Sequence, residues 1–483
     1  MCELQFISDN RRASFNWWER LEPNTEHTHV KIREANQLMF RQAIGIAMAF
    51  TGVIVGAGFA SGQEALQFFV AFGTWGVVGA VLASALMMIS GIAILQFGSY
   101  FQAKEHTAVL SRLSHRVVAR ILDTATIVTL FAIGFVMFAG GGSNLNQQFG
   151  WPTWVGALIM LALVIVTGLM DVSKVTMVIG TITPFVIVFI LFVTIWTLAT
   201  SEYDWAELNL AAQDVQTTLP NWWMSALNYV GLCVMTAVSM AIVIGGNFID
   251  TRAAGLGGLL GGVFFLIMLL LLVLALLLQV ESVSGAAMPV LELINDIHPW
   301  LGFAMTFVVF GMIYNTAIGM FYALGKRLTR NHRERYPVVF ITACLIGFVL
   351  SFFGFKNLVS YVYPALGYLG ILMIAVLAAA WLRGGSKLRA EGRRRVRAMD
   401  LTRRRLDPRL RFSKRNQREL ARLTAESNIT DRRLTEQLED VVHDELEADE
   451  ALDWDREDPQ GSVVYVEHSD PVAPDENPTT RPS

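Results

Sequence analysis

The sequence predicts an all-α polytopic membrane protein followed by a charged tail, and three observations predict it. Of 483 residues, 53% are hydrophobic and only 16% charged, against roughly a quarter charged in an ordinary soluble domain. Apolar runs of about twenty residues, long enough to cross a hydrocarbon core, recur ten times. Lys and Arg are confined to the segments between those runs. The formal net charge of -3 hides this segregation, because it sums a strongly basic and a strongly acidic stretch of the tail.

Residues 1–42 form a polar N-terminal segment. Asp9, Arg11, Arg12 and two Trp precede any apolar run, so the segment lacks the short apolar core of a secretory signal peptide. The apolar windows then fall at 43–72, 75–100, 121–142, 152–170, 175–200, 221–247, 254–279, 299–325, 337–354 and 358–382. Loop charge tests the count. With ten spans, 37 of the 38 basic residues lie on one side and Lys356 alone on the other. The basic side is expected to be cytoplasmic, with both termini there and the protein in the cell membrane. Between the spans, 288–297 is amphipathic, with Val290, Leu291, Leu293, Ile294 and Ile297 on one face, and is expected to lie as a short helix over the outer mouth.

The tail, 383–483, changes composition abruptly. Residues 383–422, which begin with Arg383 and end with Arg422, hold 16 basic and 4 acidic residues, whereas 423–483 hold 4 basic and 18 acidic. Part of the first stretch, 389–405, has the composition of a helix, and the tail as a whole is expected to be largely disordered. A basic stretch directly after a span is placed to meet anionic lipid headgroups, and topology retention explains it as well. Nucleic acid is not expected as a partner, because no interleaved aromatics are present to stack bases.

Several chemistries lack material. Cys2, Cys233 and Cys344 have neither a CxxC spacing nor His companions, which argues against a disulfide framework or a zinc site. All eight His lie outside or at the edge of the spans, so haem ligation and a buried Ser-His pair are not supported. An enzyme is therefore not expected.

The first apolar run carries the chemistry. About thirty residues of continuous helix measure about 45 Å, against a core of about 30 Å. Gly56 and Gly58 fall mid-run, where unwinding is inexpensive, and Ser61 offers an N-cap for a restarted helix. A break leaves backbone groups unpaired in an apolar medium, which is tolerable only where protein, water or a bound species supplies partners. Gly56, Ala57, Gly58 and Phe59 are accordingly candidates for solute contact. The bared N–H groups suit an anionic group and the bared carbonyls a cation. Beyond the break, Gln63, Glu64 and Gln67 share a helical face with Ala60, a face that should point inward because a lipid-facing Glu is costly. Glu64 is the one acid well inside a span. Eight residues past Gly56 it would stand about 12 Å above the midplane, so a capping role is open beside a transport role.

The run Gly56-Ala57-Gly58-Phe59-Ala60-Ser61-Gly62-Gln63-Glu64 resembles the signature of the YkvI family of bacterial membrane proteins, within the amino acid, polyamine and organocation transporter superfamily. The likeness covers roughly 40–382, and only this motif is specific. It implies a LeuT-like architecture of two inverted five-helix repeats, 43–200 and 221–382, and a secondary transporter of a small organic solute, either amino acid-like or an organic cation or carboxylate. A solute sensor or a channel on the same fold is the alternative. In that architecture the sixth span partners the first, which brings Asn228, Tyr229 and Thr236 toward the site, although no glycine pair announces a second break. The eighth span carries Asn315 and Thr316 about halfway along. Opposite carbonyls released near Val53 to Gly56, they would form an all-oxygen shell for Na+, and helix-to-helix hydrogen bonding is the other use for them. Sodium is slightly favoured over a proton as the coupling ion, and no other cofactor is implied.

Overall fold

The computed structural model describes residues 25–170, 187–200, 204–449, 452–456 and 463–464. The helices are α1 (Thr25–Ile54), α2 (Ala57–Ser61), α3 (Gln63–Phe68), α4 (Thr74–Phe101), α5 (His106–Leu113), α6 (Arg116–Phe149) and α7 (Thr153–Gly168). Next come α8 (Ile187–Thr200), α9 (Trp205–Ala212), α10 (Trp222–Gly246), α11 (Thr251–Leu278), α12 (Val280–Val283), α13 (Pro289–Ile297), α14 (Pro299–Leu328), α15 (Tyr336–Leu350) and α16 (Phe355–Leu406). The tail adds α17 (Lys414–Ala425), α18 (Asp431–Glu447) and a two-residue antiparallel pairing of Leu452 and Asp453 with Val464 and Val463.

Among the described residues, seven helices are long and apolar enough to cross a membrane, and three shorter apolar helices, Met39–Ile54, Thr153–Gly168 and Ile187–Thr200, fill the remaining expected spans. The start of the fifth span and residues 1–24 lie outside the described residues. The protein is an all-α polytopic membrane protein.

The spans pack as two groups. In one, α1 and α4 each pack against both α10 and α11; in the other, α6, α7, α14 and α15 are mutual neighbours. Small residues set these contacts, since apolar side chains gain little by leaving lipid for a protein neighbour. A Cβ on Gly231 or Gly370 would run into backbone where α10 crosses α16, and one on Gly258 into backbone where α11 crosses α4. Within α16, Pro364 supplies no N–H to the turn before it. The Ser360 carbonyl accepts instead from the Thr218 hydroxyl at 2.6 Å, so the loop before α10 is tied to the helix it caps.

The tail departs from expectation. Residues 383–449 are folded. The last span and the first part of the tail form the single 52-residue helix α16, and α17 and α18 return along it. Leu434, Leu438, Val442 and Leu446, spaced by four on the acidic helix, are buried, with Ala398 and Leu401 of α16 beneath. Counting charge alone obscured this stripe. The two charged halves also neutralise each other: Arg394 pairs with Glu426 at 3.6 Å, Arg409 with Asp449 at 2.6 Å, and Arg405 with Glu439. Such exposed pairs add little stability; the apolar stripe holds the fold.

One tail residue is anchored in the membrane domain. The fully buried Arg395 guanidinium donates to Glu391 at 2.9 Å, to the carbonyls of Ser99 and Tyr100 at 2.8 Å, and to Asn428 Oδ1 at 2.8 Å. It thereby fixes the C-terminal end of α4 against the tail. Burial alone would push Glu391 up, but hydrogen bonds from Ser427 and Arg395 and the charge of Arg395 outweigh it and hold the carboxyl below its ordinary value of 4.5.

Candidate solute-binding site

The first span is interrupted twice. Helix α1 stops at Ile54, Gly56 is extended (φ -104°, ψ -157°), and the five-residue α2 begins at Ala57. The Gly56 N–H turns back onto the Ile54 carbonyl at 2.9 Å instead of continuing the ladder to Gly52. At Gly62 the chain enters the left-handed region (φ +77°) before α3, a conformation that favours glycine. Ser61 is the last residue of α2 rather than an N-cap. Its hydroxyl still bridges the second turn, donating to the Gly58 carbonyl at 3.1 Å and accepting from the Gln63 N–H at 3.2 Å. Val290 of α13 covers Gly62 closely, so the amphipathic 288–297 segment is a short helix packed on this turn.

The double turn brings Glu64 back toward the break. A Cβ on Gly58 would land on the Glu64 carboxyl group. The Tyr229 hydroxyl lies beside that carboxyl group, and the Cys233 thiol lies against the same hydroxyl. Tyr229 is enclosed by Phe68, Phe69 and Phe265, and Phe59 meets Phe265 edge-on. This aromatic cluster lies on the side opposite the basic one.

Below it lies a cavity of about 1000 Å³ between the two helix groups. Gly56, Gly58, Phe59 and Glu64 line its inner end with Thr236 and Ser239 of α10, Asn315 and Thr316 of α14, and Tyr363 of α16. Lys104, Arg330 and Arg333 mark its basic mouth. There Arg327 pairs with Asp123 and donates to His106 Nε2 at 2.7 Å. Burial, reinforced by the Arg327 charge, pushes His106 down to about 4, so the ring is neutral and accepts this bond. The opposite end is fastened by Gln147 of α6, which accepts from the Met288 N–H at 2.8 Å and donates to Glu292 at 2.8 Å.

No family model matches the chain. Over 332 residues it is 24% identical to the uncharacterized membrane protein YkvI of Bacillus subtilis, covering 69% of this chain and 94% of YkvI. Over 341 residues it is 25% identical to the uncharacterized protein YyaD of the same organism, covering 70% and 97%. Among solved structures it resembles MhsT in complex with L-phenylalanine, with a TM-score of 0.51 and 13% identity over 83% of this chain and 97% of that one. The chain is YkvI-like and has the LeuT fold.

Of the residues selected from sequence, Val53, Gly56, Gly58, Phe59, Glu64, Thr236, Asn315 and Thr316 line this cavity. Ala57 is the first residue of α2. Ser61, Gln63 and Asn228 lie outside the lining and are buried. Asn228 donates to the Pro364 carbonyl at 2.9 Å, joining α10 to α16. Tyr229 is outside the lining and meets the site through Glu64 and Cys233. The sixth span, α10, is unbroken, as its lack of a mid-span glycine pair implies. Gly56 and Thr316 face each other: a Cβ on Gly56 would stand 3.7 Å from Thr316 Oγ1, whose proton is given to the Met312 carbonyl at 3.0 Å. Cys233 and Tyr363 were missed. Nothing in their local sequence distinguishes them, since both gain their place from the crossing of α10 and α16.

Proposed function

We propose that the protein is a secondary active transporter, moving a small organic solute by alternating access between its two helix groups. The observation that carries this reading is the cavity: it begins at the interrupted first span, opens on one side only and is closed by aromatic rings on the other. With the basic side cytoplasmic, both termini are cytoplasmic and the cavity is inward-open in the cell membrane. Amino acid-like solutes are the first class to try, and organic cations and carboxylates the next, since MhsT was solved with L-phenylalanine.

Sodium is the proposed coupling ion. Thr316 Oγ1 has given its proton to Met312, so its lone pairs are available toward Gly56, and Asn315 makes no protein hydrogen bond among the described residues. With carbonyls at Val53 and Gly56 these groups would supply the all-oxygen shell that such an ion needs. Headgroup contact, by contrast, falls to the charges nearest the membrane, such as Arg383 and Lys387, since much of 383–422 is paired within the tail.

Uptake into proteoliposomes tests the reading. Saturable accumulation that requires an inward Na+ gradient is expected. Uptake that persists without Na+ but collapses with the pH gradient would replace the ion, and large non-saturating flux would replace the transporter with a channel. The tail docked on α4 favours a sensor as the second reading; binding without flux would select it.

A further inference from the structure

We propose that the cavity takes a solute bearing a positively charged ammonium group, with the Glu64 carboxylate as its counter-ion. The inference rests on the transporter reading of the same cavity and specifies its cargo. Charge is unevenly placed along the walls. Glu64 is the acid at the inner end, whereas Glu105 and Asp123 lie at the mouth. The cations of the lining, Lys104, Lys326, Arg327, Arg330 and Arg333, are also at the mouth. Lys326 is ten residues beyond Thr316 on α14, about 15 Å along a helix. Three of these cations are already engaged: Arg327 with Asp123, Arg330 with Glu105 at 3.3 Å, and Lys326 over the rings of Tyr322 and Tyr336.

No ion pair reaches Glu64 among the described residues. Its polar surroundings are neutral: the Tyr229 hydroxyl, the Cys233 thiol, and beyond them Thr236, Asn315 and Thr316. A carboxylate in such a wall is costly until a cation joins it. An ammonium group supplies that charge together with its donors, and the ring of Phe59 in the same wall adds an attractive surface for a cation. A solute presenting only a carboxylate would meet like charge at the point where the backbone opens.

The experiment uses the full-length protein and matched solutes: an amino acid, the amine made from it by decarboxylation, its N-acetyl derivative, and the carboxylate lacking the amino group. Uptake is measured in proteoliposomes, and binding by the shift in melting temperature of the solubilised protein. The amino acid and the amine should bind and accumulate, and the acetylated and deaminated forms should do neither. Glu64→Gln should weaken binding at least tenfold with the ligand-free melting temperature kept or raised, and Glu64→Asp should retain more binding than Glu64→Gln. If Glu64→Gln fails to fold, the solute series on the unmodified protein decides alone. Equal accumulation of the deaminated and amino forms would overturn the ammonium proposal and leave transport standing. Stabilisation by ammonium solutes without accumulation would overturn transport and leave the proposal standing. Binding of none of them would overturn both.

Discussion

At the scale of single residues, the two glycines of the break make opposite demands. A Cβ on Gly56 meets Thr316 Oγ1 at an ordinary 3.7 Å, whereas one on Gly58 occupies the place of the Glu64 carboxyl group. That group ends a flexible side chain, so it can swing aside and the fold survives, but the inner end of the cavity changes. Gly58→Ala should therefore lower uptake at least tenfold at normal expression, and Gly56→Ala should stay within about threefold; equal effects in an uptake assay would refute the assignment. Sequence alone identified both glycines, because a helix too long for its membrane must bend where bending is inexpensive. It placed Glu64 too far from them. The left-handed turn at Gly62 returns the carboxylate toward Gly58, and a straight-helix extrapolation has no means of anticipating that. Asn228 was misread for a related reason: a polar side chain mid-span has either a solute or a neighbouring helix as its partner, and only the crossing with α16 showed which.

Elements decide which end of the cavity is open. Gln147, at the end of α6, holds α13 through its amide and so fastens the side opposite the basic mouth. Each such bond is worth about 1 kcal/mol, enough to move a balanced two-state equilibrium severalfold. Gln147→Ala should shift the population away from the basic-open state, seen as slower thiol labelling of a Ser239→Cys variant from the basic side; unchanged labelling would contradict the role. At the other end α5 depends on a neutral His106. Its folded value of about 4 is depressed from 6.5, so its contribution is complete above pH 6.5 and lost as pH falls toward about 4, where the unfolded state binds a proton that the folded state does not. Hydrogen exchange in α5 should quicken across that window, and a His106→Gln variant should flatten the response. The ten spans were legible because loop charge checks their parity. The helical tail was not, since its apolar stripe is outnumbered by charges that pair only after folding.

At the scale of the whole molecule, the tail is coupled to the membrane domain through Arg395. Arg395→Ala would leave Glu391 with Arg394 and Ser427 as partners but strip the buried donors from the Ser99 and Tyr100 carbonyls, and should cost about 2–3 kcal/mol of tail docking. Limited proteolysis should then cut between α16 and α18 while the spans stay protected; an unaltered digest would show that the apolar stripe suffices. The cavity lining falls between Gly52 and Tyr363, so the tail can be probed apart from the transport reading. That reading requires the interrupted first span to face a solute within the cavity. The direct measurement is a density map of the protein with an accumulated solute bound. Density between the backbone at Gly56 to Phe59, the Glu64 carboxylate and Thr236 is predicted; an unbroken helix through residues 54–64, or a solute bound elsewhere, would contradict it.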